Sequence, residues 1–437
     1  MSKSKPSLPQ ATGLRRVVGV PGAVLMGLGS ILGTGIFVSI GVAAGVTGPS
    51  VILAVVLAAA VAAFNGLSSA QLAASHPVSG GTYEYGYRYL NPALGFTAGC
   101  MFLCAKSASA ATAALGFAGY VLAAAGASAA SFRTLLAVAA TVVLTLVVAG
   151  GMRRSNRTNV VVVALTVLAL LGFVVSGLPS ALKNASHTLG YFFGADANGS
   201  TAGLLHATAL MFVAYTGYGR IATLGEEIRD PQTNIPRAIV AALATTAILY
   251  ALVAFVAVAS AGAGELAELT NEAAAPLEVV ARGFGVPGIA WLVAAGAVTA
   301  MLGVLLNLLL GLSRVVLAMA RRGDMPAMFS RVDEKRASPT ASVLLVGALI
   351  AALACIGHVR TTWSFSAFTV LVYYALTNLA ALRLPPEVRS YPRWISAAGL
   401  VSCVGLAFWV EPMIWVAGLG LIAVGLAWHR VARHRAP

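Results

Sequence analysis

The chain has 437 residues, of which 59% are hydrophobic and 10% charged, and its mean hydropathy is +0.88. A soluble domain carries about 25% charged residues, so a water-soluble protein of this length is excluded and most of the surface must face lipid or packed helices. The formal net charge of +14 does not describe a nucleic-acid surface, because the cations recur at the ends of apolar runs rather than along one face.

Apolar runs of about 20 residues predict twelve spans in chain order: 18–46, 50–74, 93–125, 132–151, 158–178, 202–227, 235–262, 288–321, 339–357, 362–382, 394–410 and 412–430. A basic tail, 1–17, precedes the first. That first run is about 27 residues, too long for the core of a signal peptide, and is retained as a membrane helix. Within it lies Gly29-Ser30-Ile31-Leu32-Gly33-Thr34-Gly35, where glycine lets the backbone leave helical geometry. Irregular backbone at membrane depth survives only against protein or a cavity. The half-helix after the break presents unpaired N–H groups and a positive dipole end, suited to a carboxylate. The half-helix before it leaves carbonyls from about Gly29 to Leu32, suited to an ammonium. The plainer alternative is close packing through Gly29-x-x-x-Gly33.

After the second span, Tyr83, Tyr85, Tyr87 and Tyr89 alternate around Glu84 and Arg88. They are either an interfacial aromatic belt or a cytoplasmic gate element touching the first helix, with Tyr83 and Tyr85 as the gate candidates. The third span carries Cys100 and Cys104 on one face, with no histidine or carboxylate to complete a metal set. It also carries Lys106 at mid-depth, where a lysine costs about 2.5–3.5 kcal/mol. Two roles stand for it: a coupling group that alternates between charged and neutral forms, or a structural ammonium capped by carbonyls of a broken helix or by Asn307 of the eighth span.

The sixth span holds the second break, Ala214-Tyr215-Thr216-Gly217-Tyr218-Gly219, with Phe212 and Val213 just before it. Two breaks at corresponding places are the sequence mark of a transporter's substrate site, and one zwitterion would satisfy both sets of loose backbone groups. Tyr215 and Tyr218 line the pocket or pack as ordinary core. Glu226, Glu227, Arg229 and Asp230 end the span as a solvated cluster. His206 lies near the outer end, and Asn271–Gly285 predicts one short surface helix.

One set of alternate loops collects nearly all the cations, while the other has Arg133, Lys183, Arg282 and Arg360. Both termini are therefore expected in the cytoplasm and the chain in the cytoplasmic membrane. The breaks then start from opposite sides, so 18–178 and 202–382 form two inverted repeats of five spans, with 383–437 contributing the last two spans and a cytoplasmic tail.

Gly29-Ser30-Ile31-Leu32-Gly33-Thr34-Gly35-Ile36-Phe37 resembles the first-helix signature of the amino acid–polyamine–organocation (APC) transporters. Three further stretches resemble the same superfamily in the same order: Pro77-Val78-Ser79-Gly80-Gly81-Thr82-Tyr83, Gly225–Asp230 with Pro231 through Ile239, and Ser313-Arg314 through Pro326. The resemblance covers nearly the whole chain. It implies an all-α polytopic LeuT-type fold, discontinuous first and sixth helices and alternating access. It implies a substrate carboxylate on the Thr34 and Gly35 amides and an ammonium near the Ile31 and Val213–Thr216 carbonyls. It also implies that Glu226, Glu227, Arg229 and Asp230 help seal the inner side. The family's gating aromatic is replaced by Val213, with Phe212 one position earlier. The lysine of proton-coupled members is Leu165 or Thr166 here, and the hydroxyl pair of sodium-coupled members falls on Leu302 and Gly303, so neither ion device carries over.

The expected function is secondary transport of an amino acid. A neutral one is favoured, because no acidic residue lies in a span near the breaks. Proton symport, exchange, and a polyamine or cationic amino acid permease remain alternatives, as does a nutrient receptor that binds without transport. The major facilitator fold is disfavoured, since the loop after the second span reads Ser75-His76-Pro77-Val78-Ser79-Gly80-Gly81. No triad, nucleotide loop or metal set appears, so neither an enzyme nor a cofactor is expected. The partners expected are a small-molecule substrate and lipid.

Overall fold

Glycine and proline punctuate the apolar runs, and helices form between them. The computed structural model describes residues 18–76, 81–127, 130–151, 156–189, 201–222, 228–333 and 338–434. The first run is divided into α1 (Val20–Ile31), α2 (Thr34–Phe37) and α3 (Ser39–Thr47). It is followed by α4 (Val51–Ser75), α5 (Thr82–Tyr89), α6 (Pro92–Ala124), α7 (Ala130–Ala149) and α8 (Asn156–Leu189). The sixth run is α9 (Thr201–Tyr215), a 3-10 turn at Thr216–Tyr218, and α10 (Gly219–Ala222). Then come α11 (Pro231–Ala261), α12 (Ala263–Ala273), α13 (Pro276–Arg282), α14 (Ile289–Arg321), α15 (Thr340–Ala354), α16 (Val359–Leu382), α17 (Arg393–Ala407) and α18 (Pro412–His434). The described residues contain no strand, only the isolated bridges Val18–Ile228 and Asp333–Ser338.

Eight described helical stretches are long and apolar enough to cross a bilayer, whereas α1, α15 and α17 are apolar but shorter. The exposed side chains Leu135 and Val143 of α7, Leu168 and Val175 of α8, and Val424 of α18 form apolar outer faces that suit lipid rather than water. The molecule is a multi-pass membrane protein.

Two elements differ from expectation. The surface helix predicted over Asn271–Gly285 is two helices, α12 and α13, because Ala274 adopts a left-handed conformation at φ 55° and Pro276 starts a new turn. The fifth span continues from 178 to Leu189 with Pro179 inside it. The polar residues there mark the end of the apolar slab, not of the helix.

The core is centred on α6, which packs along α14 and α16. Local signals set its start: the Asn91 side chain accepts the Leu94 amide at 2.9 Å and Pro92 occupies the first turn. Its face toward α16 is small and hydroxylated. Ser109 and Thr112 pair with Ser366 and Thr362 at 2.7 Å each, and Ser366 Oγ also donates to Ala105 O at 2.9 Å. These bonds pin the turn of α6 that carries Lys106.

Candidate functional site

The first break is complete. Leu32 leaves helical geometry at φ −73° and ψ 108°, and Gly33 follows in an extended conformation at φ 179°. Ile36 and Phe37 donate to Gly33 O at 3.1 and 3.2 Å, which starts the second half-helix. The Thr34 and Gly35 amides stand in its first turn and have no intrahelical acceptor. The sixth segment is interrupted more gently. Its backbone stays near helical values, and the 3-10 turn at Thr216–Tyr218 tightens the chain instead of opening it.

The two interruptions touch through their glycines. A β-carbon on Gly35 would fall 2.5 Å from that of Ala214, and one on Gly217 would collide with the Ser30 carbonyl. At the arginine-rich end, the Arg229 amide donates to Val18 O at 3.0 Å, joining the start of the first segment to the exit of the sixth. Arg229 thus contributes backbone to this contact while its side chain is exposed. Glu226 and Glu227 lie outside the described residues, as do positions 1–17 and Pro77–Gly80.

A cavity of about 330 Å³ opens beside the breaks, large enough for a small solute. From the first segment Ser30, Ile31, Thr34 and Gly35 line it. From the sixth come Val213, Ala214 and Thr216, and Lys106, Asn307, Tyr83 and Tyr85 complete the set predicted from sequence. Gly33, Phe212, Tyr215 and Tyr218 are not on its wall. Gly33 packs against Val304, and Phe212 and Tyr218 lie against Tyr374 with ring centroids 5.6 and 5.5 Å apart. The Tyr215 hydroxyl donates to Val55 O at 3.1 Å.

Four of the carbonyls expected to be free, those of Ile31, Val213, Ala214 and Thr216, are occupied. Tyr250 donates its hydroxyl to Ile31 O at 2.9 Å and comes within 3.4 Å of Ala214 O. Thr216 Oγ1 donates to Val213 O at 2.7 Å, and the Tyr374 hydroxyl donates to Thr216 O at 3.3 Å. Buried carbonyls seek a donor wherever one reaches, and here phenols from α11 and α16 and the Thr216 hydroxyl supply it. Lys106, 9% exposed, donates its ammonium to Thr216 Oγ1 at 2.7 Å rather than to Asn307 or to a break carbonyl.

The ends of the cavity differ. Exposed Arg220 and Arg314 stand at the arginine-rich end. Opposite them Trp363 is 3% exposed and donates its indole N–H to Leu210 O at 3.0 Å, roofing the cavity. Above that roof His206 Nε2 sits 3.3 Å and Arg360 Nε 3.1 Å from the Glu411 carboxylate. Burial alone would raise the Glu411 carboxyl, but His206 together with hydrogen bonding from the backbone and Ser364 outweighs it and holds the group at about 2.

The Tyr83 hydroxyl meets the turn that follows α14 rather than the first helix. Its hydroxyl donates to Asp324 Oδ2 at 2.6 Å, Tyr87 donates to the same carboxylate at 2.6 Å, and His429 Nδ1 of α18 is 3.2 Å away. Arg322 lies over both rings and pairs with Glu84 at 2.6 Å. Sequence reasoning missed Asp324, Tyr250 and Trp363. Polar residues inside the apolar tenth span, Trp363-Ser364 and Ser366, were the available signal.

The sequence profile described as amino acid permease matches residues 22–437. The chain belongs to the amino acid permease family, within the APC superfamily. It is 41% identical over 420 residues to an uncharacterized transporter of Mycobacterium tuberculosis, covering 96% of this chain and 92% of the relative. It is 28% identical over 413 residues to the branched-chain amino acid permease BcaP of Bacillus subtilis, covering 90% and 86%. It is 26% identical over 439 residues to a methylthioribose transporter of the same organism, covering 94% and 92%. Members of this family are transporters, and a permease that carries amino acids through the membrane accounts for the apolar shell and the interior cavity together.

Proposed function

We propose that this permease moves an amino acid zwitterion across the cytoplasmic membrane by alternating access, as a secondary transporter. The observation that carries the reading is the meeting of both interruptions on one cavity, with Gly35 against Ala214 and Gly217 against Ser30. In this reading the substrate carboxylate takes the Thr34 and Gly35 amides. Its ammonium displaces the Tyr250 hydroxyl from the Ile31 and Ala214 carbonyls. The described cavity wall holds no carboxylate, which supports a substrate without a cationic side chain over a polyamine or cationic amino acid. The relative named as a branched-chain amino acid permease supports the same class.

The eight long helical stretches, with α1, the α9–α10 segment, α15 and α17 added to them, support a twelve-span reading, which we arrange as two inverted five-span repeats and two appended spans. The loop charges support both termini in the cytoplasm. Lys106 and Asn307, both on the wall, are the groups proposed to couple uptake to a proton, with exchange as the alternative mode. Tyr83, Tyr85, Glu226, Glu227 and Arg229 are proposed for the cytoplasmic gate. Counterflow of labelled amino acids into proteoliposomes tests the reading. Saturable entry that unlabelled amino acids compete is expected. Ligand-induced thermal stabilisation without flux would mark a receptor instead.

A further inference from the structure

Charge on the cavity wall is one-sided. Lys106, Arg220 and Arg314 line it, and no aspartate or glutamate does among the described lining residues. The two arginines stand in the exposed mouth, whereas Lys106 is buried at depth. An ammonium has three donors, yet among the described residues Lys106 Nζ has one acceptor, the neutral hydroxyl of Thr216. That hydroxyl spends its own hydrogen on Val213 O, so a lone pair, not a negative charge, faces the ammonium. On the same wall Thr34 is 4% exposed, and its buried Oγ1 has no hydrogen-bond partner among the described residues.

A buried cation without a counter-charge is costly, and the cost is recovered when a carboxylate arrives with good geometry. The position is not a loose one. The hydroxyl pairs of α6 and α16 at Ser109 and Thr112 fix the turn that carries Lys106, and Thr216 sets where its ammonium points. In the reading proposed above the Thr34 and Gly35 amides already take the α-carboxylate, so a second carboxylate is the group left for Lys106.

We infer that Lys106, presented by Thr216, binds a second carboxylate on the transported molecule, so that the preferred cargo is an amino acid with an acidic side chain. This rests on the amino acid transport reading and deepens it. A neutral side chain would leave the ammonium unpaired, and a cationic one would meet three like charges.

The test compares glutamate with its isosteric amide, glutamine, on the full chain in proteoliposomes. Wild-type protein is expected to favour glutamate at least tenfold in competition for counterflow. Lys106→Met should raise the glutamate KM on the order of a hundredfold while moving glutamine little, and Lys106→Arg should restore part of the preference. Thr216→Val, which removes the presenting hydroxyl, is the second variant and should weaken the same ratio should Lys106→Met fail to fold. Equal competition by glutamate and glutamine, or a proportional loss of both in Lys106→Met, would overturn the assignment. A lysine that only carries a coupling proton would change the pH dependence of uptake and leave the ratio alone. Wild-type protein that moves no amino acid at all overturns the transport reading and this inference with it.

Discussion

Gly217 shows how much one missing methyl permits. Its Cα faces the Ser30 carbonyl so closely that any β-carbon must push the two interrupted segments apart. Overpacking of this kind costs about 1–3 kcal/mol, so Gly217→Ala should lower the melting temperature and transport together. Gly264→Ala, where nothing lies within 4 Å, should change both little, and a thermal-shift series with counterflow checks the pair. Gly33 and Gly35 were legible in the sequence because they flank one residue inside an apolar run, although helix packing was the competing use for the same glycines. Tyr250 was not, since its two acceptors sit in segments far away in the chain and only folding brings them under one phenol. Lys106 was legible as a group needing a partner, but Thr216 was not legible as that partner, because either a carbonyl or Asn307 would have met the same need.

The helices themselves were readable from hydropathy, and their ends were not. Apolar length reports where lipid stops, so α8 outran its span through Pro179, and α12 and α13 replaced a single surface helix. What ties elements together was also hidden. Asp324 follows α14 and gathers Tyr83 and Tyr87 of α5, while His429 and Trp428 reach it from α18, the indole donating to Asp324 O at 3.0 Å. Hydrogen bonds to a charged group contribute about 1.5–3 kcal/mol each. Asp324→Ala leaves two phenols without their acceptor, and a loss of several kcal/mol is expected, read as a lower melting temperature in detergent. Tyr83→Phe, which keeps the ring and drops one bond, should lose roughly 1.5–3 kcal/mol on the same assay.

At the scale of the whole molecule, the gathering of positive charge at alternate loops was legible in the sequence, and two exposed cations, Arg220 and Arg314, line the cavity. The opposite closure was illegible, because His206, Arg360 and Glu411 come from three separate places in the chain. Their contacts make stability depend on pH in a definite direction. The Glu411 carboxyl is lower in the folded state, at about 2, than its ordinary 4.5. Its contribution is therefore full above about 4.5 and lost as pH falls toward 2. The melting temperature of wild-type protein should exceed that of Glu411→Gln at pH 7, and the two should converge as the buffer is taken from about pH 5 to 3. The Trp363 roof carries a further consequence. In the alternating-access reading proposed above, an indole over one end and exposed arginines at the other make the compartment on the arginine side the one that sets occupancy in this conformation. In the same reading the indole must move before the opposite compartment reaches the site.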